Sequence, residues 1–291
     1  MQCTSPKNYN SNGIYKTNVH PCNACLACNL NRQHQWAGRL VLESMGHKHA
    51  QFITFTFDPN HLPTDQSPET LKRIWQLFIK KLRKKEPNIR YYVCMEFGNK
   101  FQRPHFHAVF FGRQSELIRR RARRSDNKNL IIYVDPLIED TWGLGSTYLK
   151  ACDSKALTKS ISNYVAGYIL KGTWKPGNTS KQPTKSEWAL QSRNPYIGSP
   201  GVKLLCEKYL SAKGCRRLVK LGTIPNYFYF DDRRYQMPPR IRKEIGAYLA
   251  YPVLDLPQDE KTHLAQAKAK SDKIARSIQR NRKINLTQAT G

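Results

Sequence analysis

Two histidines one residue apart, His105 and His107, are the first residues of this chain whose type and spacing suggest chemistry. In an extended strand, residues two apart project from the same face, so both imidazoles stand side by side while Phe106 points to the opposite face. A neighbouring stretch, IRYYVCMEF, has the alternation of a partner strand, and pairing Glu96 with His107 places its carboxylate on the histidine face. Two imidazoles and one carboxylate leave positions free on an octahedral ion such as Mg²⁺ or Mn²⁺, where phosphate oxygens can bind. The ordinary account of an HxH pair is two satisfied surface histidines. His47 and His49 serve as an internal comparison: Lys48 stands between them, they precede a strand, and no carboxylate lies on a paired strand, so they are assigned no function.

A second group lies downstream. In YVAGYILK, spacings of four and three put Tyr164, Tyr168 and Lys171 on one stripe of a helix expected over residues 156–171. Tyrosine stripes are commonly core, but an unpaired buried ammonium is costly, and Lys171 on the same stripe argues for a surface that faces an anion. Read alone, this helix is balanced between core and active site. A phenol ionising near pH 10 needs adjacent positive charge to act as a nucleophile, which Lys171 and the ion would supply. Attack on a phosphodiester would leave a phosphotyrosine link and a 3′ hydroxyl, with the bond energy conserved for rejoining. A second tyrosine would permit a second cleavage while the first is occupied.

The elements that must position these groups follow from periodicity. A helical pattern runs through Trp36, Leu40, Val41 and Met45; QFITFTF at 51–57 alternates as a strand; Ser67-Pro68-Glu69 opens a helix with apolar residues from Leu71 to Leu82. The IRYYVCMEF and HFHAVFFG strands form an antiparallel hairpin, and further strands are expected at 131–134 and 145–150. This order predicts an α+β fold, a central antiparallel sheet flanked by helices. Four segments are expected: 1–46, a cysteine-containing lead and the first helix; 47–175, the nuclease core; 176–240, a basic loop, helix and aromatic segment packed on or beside it; and 241–291, a basic helical or partly disordered tail.

Charge narrows the partners. Forty-nine Lys and Arg against 21 Asp and Glu give a net charge of +28 over 291 residues, which calls for a polyanion. There is no apolar run long enough to span a bilayer and no signal-peptide pattern, so nucleic acid is favoured over a membrane. Tyrosines interleaved with basic residues suit unpaired bases. Arg103, Arg119, Arg120, Arg121, Arg123 and Arg124 are the expected phosphate contacts, giving salt-sensitive, sequence-independent affinity. Of eight cysteines, Cys3, Cys22, Cys25 and Cys28 form a group that could hold a structural Zn²⁺, with His20 or His34 competing for the fourth position and free thiols in a reducing cytoplasm as the alternative.

RPHFHAVFFG with its upstream EFG, the FITFTF strand and YVAGYILK resemble the HUH endonucleases. Within that superfamily the chain is most similar to rolling-circle replication initiators of gokushovirus-type (Microviridae) single-stranded DNA phages, a likeness that PCNACLACNLNRQHQWAGRLVLES and YFYFDD extend loosely over residues 3–240. The resemblance implies an RRM-like core, nicking of single-stranded origin DNA through a covalent 5′-phosphotyrosyl adduct, and transfer between tyrosines to end replication. It also implies Glu96, His105 and His107 as metal ligands, Tyr164 and Tyr168 as nucleophiles, and work beside host helicase and polymerase in the bacterial cytoplasm. Gly167 departs from the pattern, where similar proteins often carry a basic residue; it weakens the helix by up to about 1 kcal/mol and leaves open which tyrosine attacks first. Two alternatives stand: a non-catalytic single-strand-binding or packaging protein, and an HUH relaxase or transposase. Relaxases commonly show three histidines and an amino-terminal tyrosine, neither of which is seen here.

Overall fold

The computed structural model describes residues 3–4, 7–9, 18–98, 101–114, 116–121, 131–149 and 188–253. Helix α1 (Leu26–Met45) follows a small hairpin, β1 (Lys7–Tyr9) and β2 (Asn18–His20). Then come β3 (Ala50–Phe55), α2 (Pro68–Lys85), β4 (Arg90–Phe97), β5 (Pro104–Phe111), β6 (Ile118–Arg121), β7 (Ile131–Val134), α3 (Pro136–Trp142), β8 (Thr147–Leu149) and β9 (Trp188–Gln191). Beyond these lie α4 (Pro200–Leu210), α5 (Ala212–Leu221), the hairpin β10 (Tyr227–Phe230) and β11 (Arg233–Gln236), and α6 (Pro239–Tyr248). The fold is α+β, with a seven-stranded antiparallel sheet in the order β6-β7-β8-β3-β5-β4-β9 and helices against it.

Strand alternation gives the sheet two unlike faces. Ile53 and Phe55, Val93 and Met95, Phe106, Ala108 and Phe110 meet Leu71, Trp75, Phe78, Ile79 and Leu82 of α2 and Ile138 and Trp142 of α3. Phe55 packs edge-on to Trp75, Phe78 and Trp142 at 5.2–5.3 Å, the geometry aromatic quadrupoles favour. α2 begins where Ser67 accepts from the Thr70 amide (3.3 Å) with Pro68 in its first turn, and its last turn holds Arg83, Lys84 and Lys85.

On the other face Phe52, Tyr92, Cys94, Val109 and Phe111 pack on Leu40 and Trp36 of α1. The same helix turns Val41 and Leu42 outward to a second core built by α4, α5, β10, β11 and α6. A side chain on Gly38 would collide with the Gln236 carbonyl, so glycine there lets α1 meet β11 backbone to backbone. Glu43, fully buried, locks this junction. It accepts from both sides of the Arg90 guanidinium, from the Gly198 amide (2.7 Å) and from His47 Nε2 (3.2 Å).

Several expectations are corrected. β4 and β5 pair with Glu96 opposite His105 and Cys94 opposite His107, two residues from the predicted register. The connection of residues 98–103, closed by the Gly98 amide on the Arg103 carbonyl (2.9 Å), sets this offset. An even shift keeps every side chain on its face, so Glu96 stays with the histidines. The arginine run is not simply a surface segment, since residues 118–121 are strand β6 on the sheet edge. Residues 188–191, expected in a basic loop, form the opposite edge strand against β4. The helix expected over 201–221 is two helices broken at Ser211, whose hydroxyl accepts from the Gly214 amide (3.2 Å) to start α5.

Candidate functional site

The part of the histidine face left beyond α1 carries Thr54 from β3, His105 and His107 from β5, and Glu96 from β4. His107, 7% exposed, is held at both ring nitrogens. Thr54 Oγ1 lies 3.1 Å from Nδ1 and Glu96 Oε1 lies 3.1 Å from Nε2. Phe52, one pleat along on the same face, stacks on the imidazole at 5.9 Å and 9°. The Thr54 hydroxyl can donate to Nδ1 when Nε2–H is directed at Glu96, or accept from Nδ1–H when Nε2 is needed as a lone-pair donor. It therefore orients the ring in either tautomer.

His105 is fixed differently. Its Nδ1 donates to the Arg103 carbonyl (2.8 Å), which leaves Nε2 as the nitrogen bearing the lone pair. Burial pulls its pKa below the ordinary imidazole value, aided by the neighbouring His107 and Arg103 charges and opposed by the Arg103 carbonyl bond and Glu96. The ring is thus neutral at neutral pH, as a metal ligand must be. A Cβ on Gly98 would come within 2.9 Å of His105 Cε1, so the glycine of the EFG motif makes room for this ring. Arg103, half-buried, donates from Nη2 to the Phe57 carbonyl (2.7 Å) and ties the 98–103 turn to the end of β3. Its expected role as a phosphate contact is therefore shared with a structural one.

The structure brings Glu96 onto His107 and sets His105 beside them, but the three ligand atoms do not converge as tightly as the cysteines. Among the described residues the tight cluster is Cys3, Cys22, Cys25 and Cys28, with every sulfur within 4.8 Å of the others. Burial alone would raise the Cys25 thiol, yet hydrogen bonds from Thr4, the Cys28 backbone and Cys22 bring it down to about 6. Burial and the neighbouring Cys3 and Cys25 push the Cys28 thiol up. His34 does not belong to this cluster, and His47 serves α1 by bonding Glu43, in keeping with the absence of function expected for the His47/His49 pair.

Tyr164, Tyr168, Lys171, Arg123 and Arg124 lie outside the described residues. Arg119 is exposed on β6; Arg120 and Arg121 are on the same strand. Two features are not foreseen in the sequence. One is Thr54, whose only signal is its place on the Phe52 face of FITFTF. The other is a cationic aromatic patch on β10 and β11: Arg217 lies over Tyr227 (5.1 Å) and Tyr229 (5.7 Å), and Arg234 over Tyr227 (4.1 Å). The aromatic YFYF run is legible, but not its arginine partners.

No helix among the described residues is long and apolar enough to cross a membrane. A family model for the ORF2-type replication-associated proteins matches residues 50–173. The chain is 30% identical over 161 residues to replication-associated protein VP4 of Bdellovibrio phage phiMH2K, covering 52% of this chain and 48% of the relative. It is 34% identical over 110 residues to replication-associated protein ORF2 of Spiroplasma virus 4, covering 35% and 34% respectively. The chain thus spans about half the length of one relative and about a third of the other. No solved structure matches it. The segment that carries β3, the β4–β5 hairpin and all four residues of the histidine face, residues 50–173, belongs to the replication-associated protein ORF2 family.

Proposed function

We propose that this protein initiates and terminates rolling-circle replication of a small single-stranded DNA phage by nicking and rejoining origin DNA through a 5′-phosphotyrosine. The observation that carries the proposal is the histidine face itself. His107 is clamped between Thr54 and Glu96, and His105 is held with its outer nitrogen as lone-pair donor, on a sheet segment whose relatives are named for replication. We take the antiparallel sheet with α2 and α3 on one face as the RRM-like HUH core.

The donor set of two neutral imidazoles and a carboxylate fits Mg²⁺ or Mn²⁺, and Glu96, His105 and His107 would hold the ion. When bound, it supplies positive charge to the scissile phosphate oxygens and to the developing negative charge of the transition state. Thr54 orients His107, Arg103 holds the turn that fixes His105, and Phe52 closes one side of the His107 ring. The phenolate oxygen of Tyr164 or Tyr168, favoured by Lys171, attacks phosphorus; the bond to the 3′ oxygen breaks, and that oxygen leaves and takes a proton as the 3′ hydroxyl. Reversal by a 3′ hydroxyl restores the phosphodiester and frees the tyrosine without ATP. The second tyrosine carries the second strand end during transfer. The net charge of +28 and the arginines of β6 retain single-stranded DNA, and the reaction takes place in the host cell beside its helicase and polymerase.

The test is denaturing electrophoresis of the full chain after incubation with end-labelled single-stranded phage DNA and Mn²⁺. A covalent protein–DNA band is expected, lost with chelator and in the Tyr164→Phe/Tyr168→Phe double variant. An undiminished band in the double variant refutes the proposal. DNA binding that needs no metal and is unchanged by His105→Ala, with no adduct, would identify a binding or packaging protein instead.

A further inference from the structure

We infer that Cys3, Cys22, Cys25 and Cys28 hold a structural Zn²⁺ that fastens the β1–β2 hairpin segment to the first turn of α1. The sulfurs are spaced as a tetrahedral thiolate shell requires. With Zn–S bonds of about 2.3 Å, the edge of the tetrahedron is about 3.8 Å. Cys3 and Cys25 sulfurs are 3.8 Å apart and Cys22 and Cys28 sulfurs 3.9 Å apart, two opposite edges, and all four lie within 4.8 Å of one another. These separations are far beyond a sulfur–sulfur bond of about 2.05 Å, so the cluster is not two disulfides.

The backbone is shaped around the sulfurs. The Cys22 amide donates to Cys3 Sγ (3.3 Å) and the Cys25 amide to Cys22 Sγ (3.2 Å), the contacts by which a peptide turn steadies metal-bound thiolates. The second is possible because Asn23 adopts a left-handed conformation (φ 58°), which asparagine tolerates and which folds Cys22-Asn23-Ala24-Cys25 into a tight turn. That turn is tied to the helix after it: Asn29 Nδ2 donates to the Ala24 carbonyl and Arg32 Nη2 to the Asn23 carbonyl, both at 3.0 Å. Cys25 occupies the cap position of α1 yet makes no side-chain capping bond, and Cys28 lies within the first turn. Both side chains are thus directed to each other's cluster and not to the helix terminus. Cys3 and Cys28 are buried and the other two half-buried, which leaves little room for water. The remaining described cysteines, Cys94, Cys206 and Cys215, stand apart from the group.

Four thiol groups in such contact would repel as thiolates and are poor hydrogen-bond partners as thiols. A soft dication with no geometric preference beyond tetrahedral resolves both. The inference is independent of the nicking reaction. It concerns the helix that supports one end of the histidine face, and a protein that nicked nothing would still bind the ion.

The test uses the purified full chain, reduced, then dialysed against a chelator strong enough to strip loosely held Mg²⁺ and Mn²⁺, followed by elemental analysis. About one zinc per chain is expected, retained in His105→Ala and in Cys215→Ser and lost in Cys22→Ser and Cys25→Ser. Since the last two variants could fail to fold, wild-type protein is also exchanged with Co²⁺. Visible d–d bands of the intensity given by tetrahedral thiolate cobalt, with sulfur-to-metal charge transfer in the near ultraviolet, are expected. Wild-type chain that retains no zinc and gives no such cobalt spectrum overturns the inference. So does a mass 2 or 4 Da low after alkylation, which marks disulfides, or stoichiometric iron in place of zinc.

Discussion

Replacing Thr54 by valine keeps the branching at Cβ and the strand preference of the residue while removing the single oxygen that touches His107. The site is closed: Thr54 is 3% and His107 7% exposed, so water has no ready access to Nδ1 once the hydroxyl is gone. A net hydrogen bond contributes about 0.5–1.5 kcal/mol, and a buried nitrogen left unpaired costs about 1–3 kcal/mol. The change should therefore cost about 1–2 kcal/mol and lower the melting temperature by roughly 2–8 °C at 2–4 °C per kcal/mol. Stability alone would not separate a positioning role from a structural one. The discriminating assay is the Mn²⁺ dependence of nicking. Loss of an outer partner typically weakens a metal site about 10–100-fold, so the half-saturating Mn²⁺ should rise by that factor while the rate at saturating Mn²⁺ changes little. Thr54→Ser should restore most of the affinity. If the melting temperature falls but the Mn²⁺ requirement does not move, Thr54 is only part of the core. If neither moves, the hydroxyl does not orient the ring.

Glu43→Gln should lower stability by about 3–5 kcal/mol in urea titrations at pH 7, because it leaves Arg90 buried without its carboxylate. Burial by itself would raise the pKa of Glu43, but His47, Arg90 and the Gly198 amide outweigh it and hold it below the ordinary carboxylate value. Its contribution is thus complete above about pH 4.3 and lost as pH falls through the lower folded value, so the gap between wild type and variant should narrow on acidification; a constant gap would show that the pair is not the source. On the cationic aromatic patch, Tyr229→Ala should weaken binding of a single-stranded oligothymidine by roughly 5–150-fold, the range of about 1–3 kcal/mol per stacked base. Arg217→Ala should reduce the salt dependence by about 0.7 in log–log slope. Fluorescence anisotropy unchanged in both variants would remove this patch from the DNA path.

How much of this was legible depends on what each element owes to its neighbours. The alternation of QFITFTF and HFHAVFFG and the three-four spacing from Leu71 to Leu82 are local properties, and β3, β5 and α2 follow them to within a residue or two. The face of Glu96 was readable for the same reason, whereas its register was not. Parity fixes faces, but only the closed turn between Gly98 and Arg103 fixes which residues stand opposite. WALQ at 188–191 has no strand signal of its own and is a strand because β4 offers it an edge. The arginines of 118–121 mask a strand because charge suits an exposed sheet edge as well as it suits a loop. The role of Thr54 was invisible for a further reason: a hydroxyl on a strand has meaning only when the residue across from it is known.

These features meet in α1. Its first turn is tied to the cysteine cluster, and Glu43 anchors its last turns to β4 and to the turn at Gly198, some 18 residues or about 27 Å along the axis. Between the two anchors lie Trp36, at 4.8 Å from the Tyr92 ring, and Leu40, fully buried against the same sheet face that carries His107 further on. The two anchors are not equivalent. Glu43 sits where the sheet and the second core touch, so losing it loosens both. The cysteine cluster holds only the entry to the helix, and its loss should fray α1 from its amino end until the Trp36 contact stops it. Amide hydrogen exchange after removal of zinc should therefore rise in residues 26–35 and remain slow from residue 40 onward. Exchange rising along all of α1 would mean that the sheet contacts do not hold the helix without its metal end.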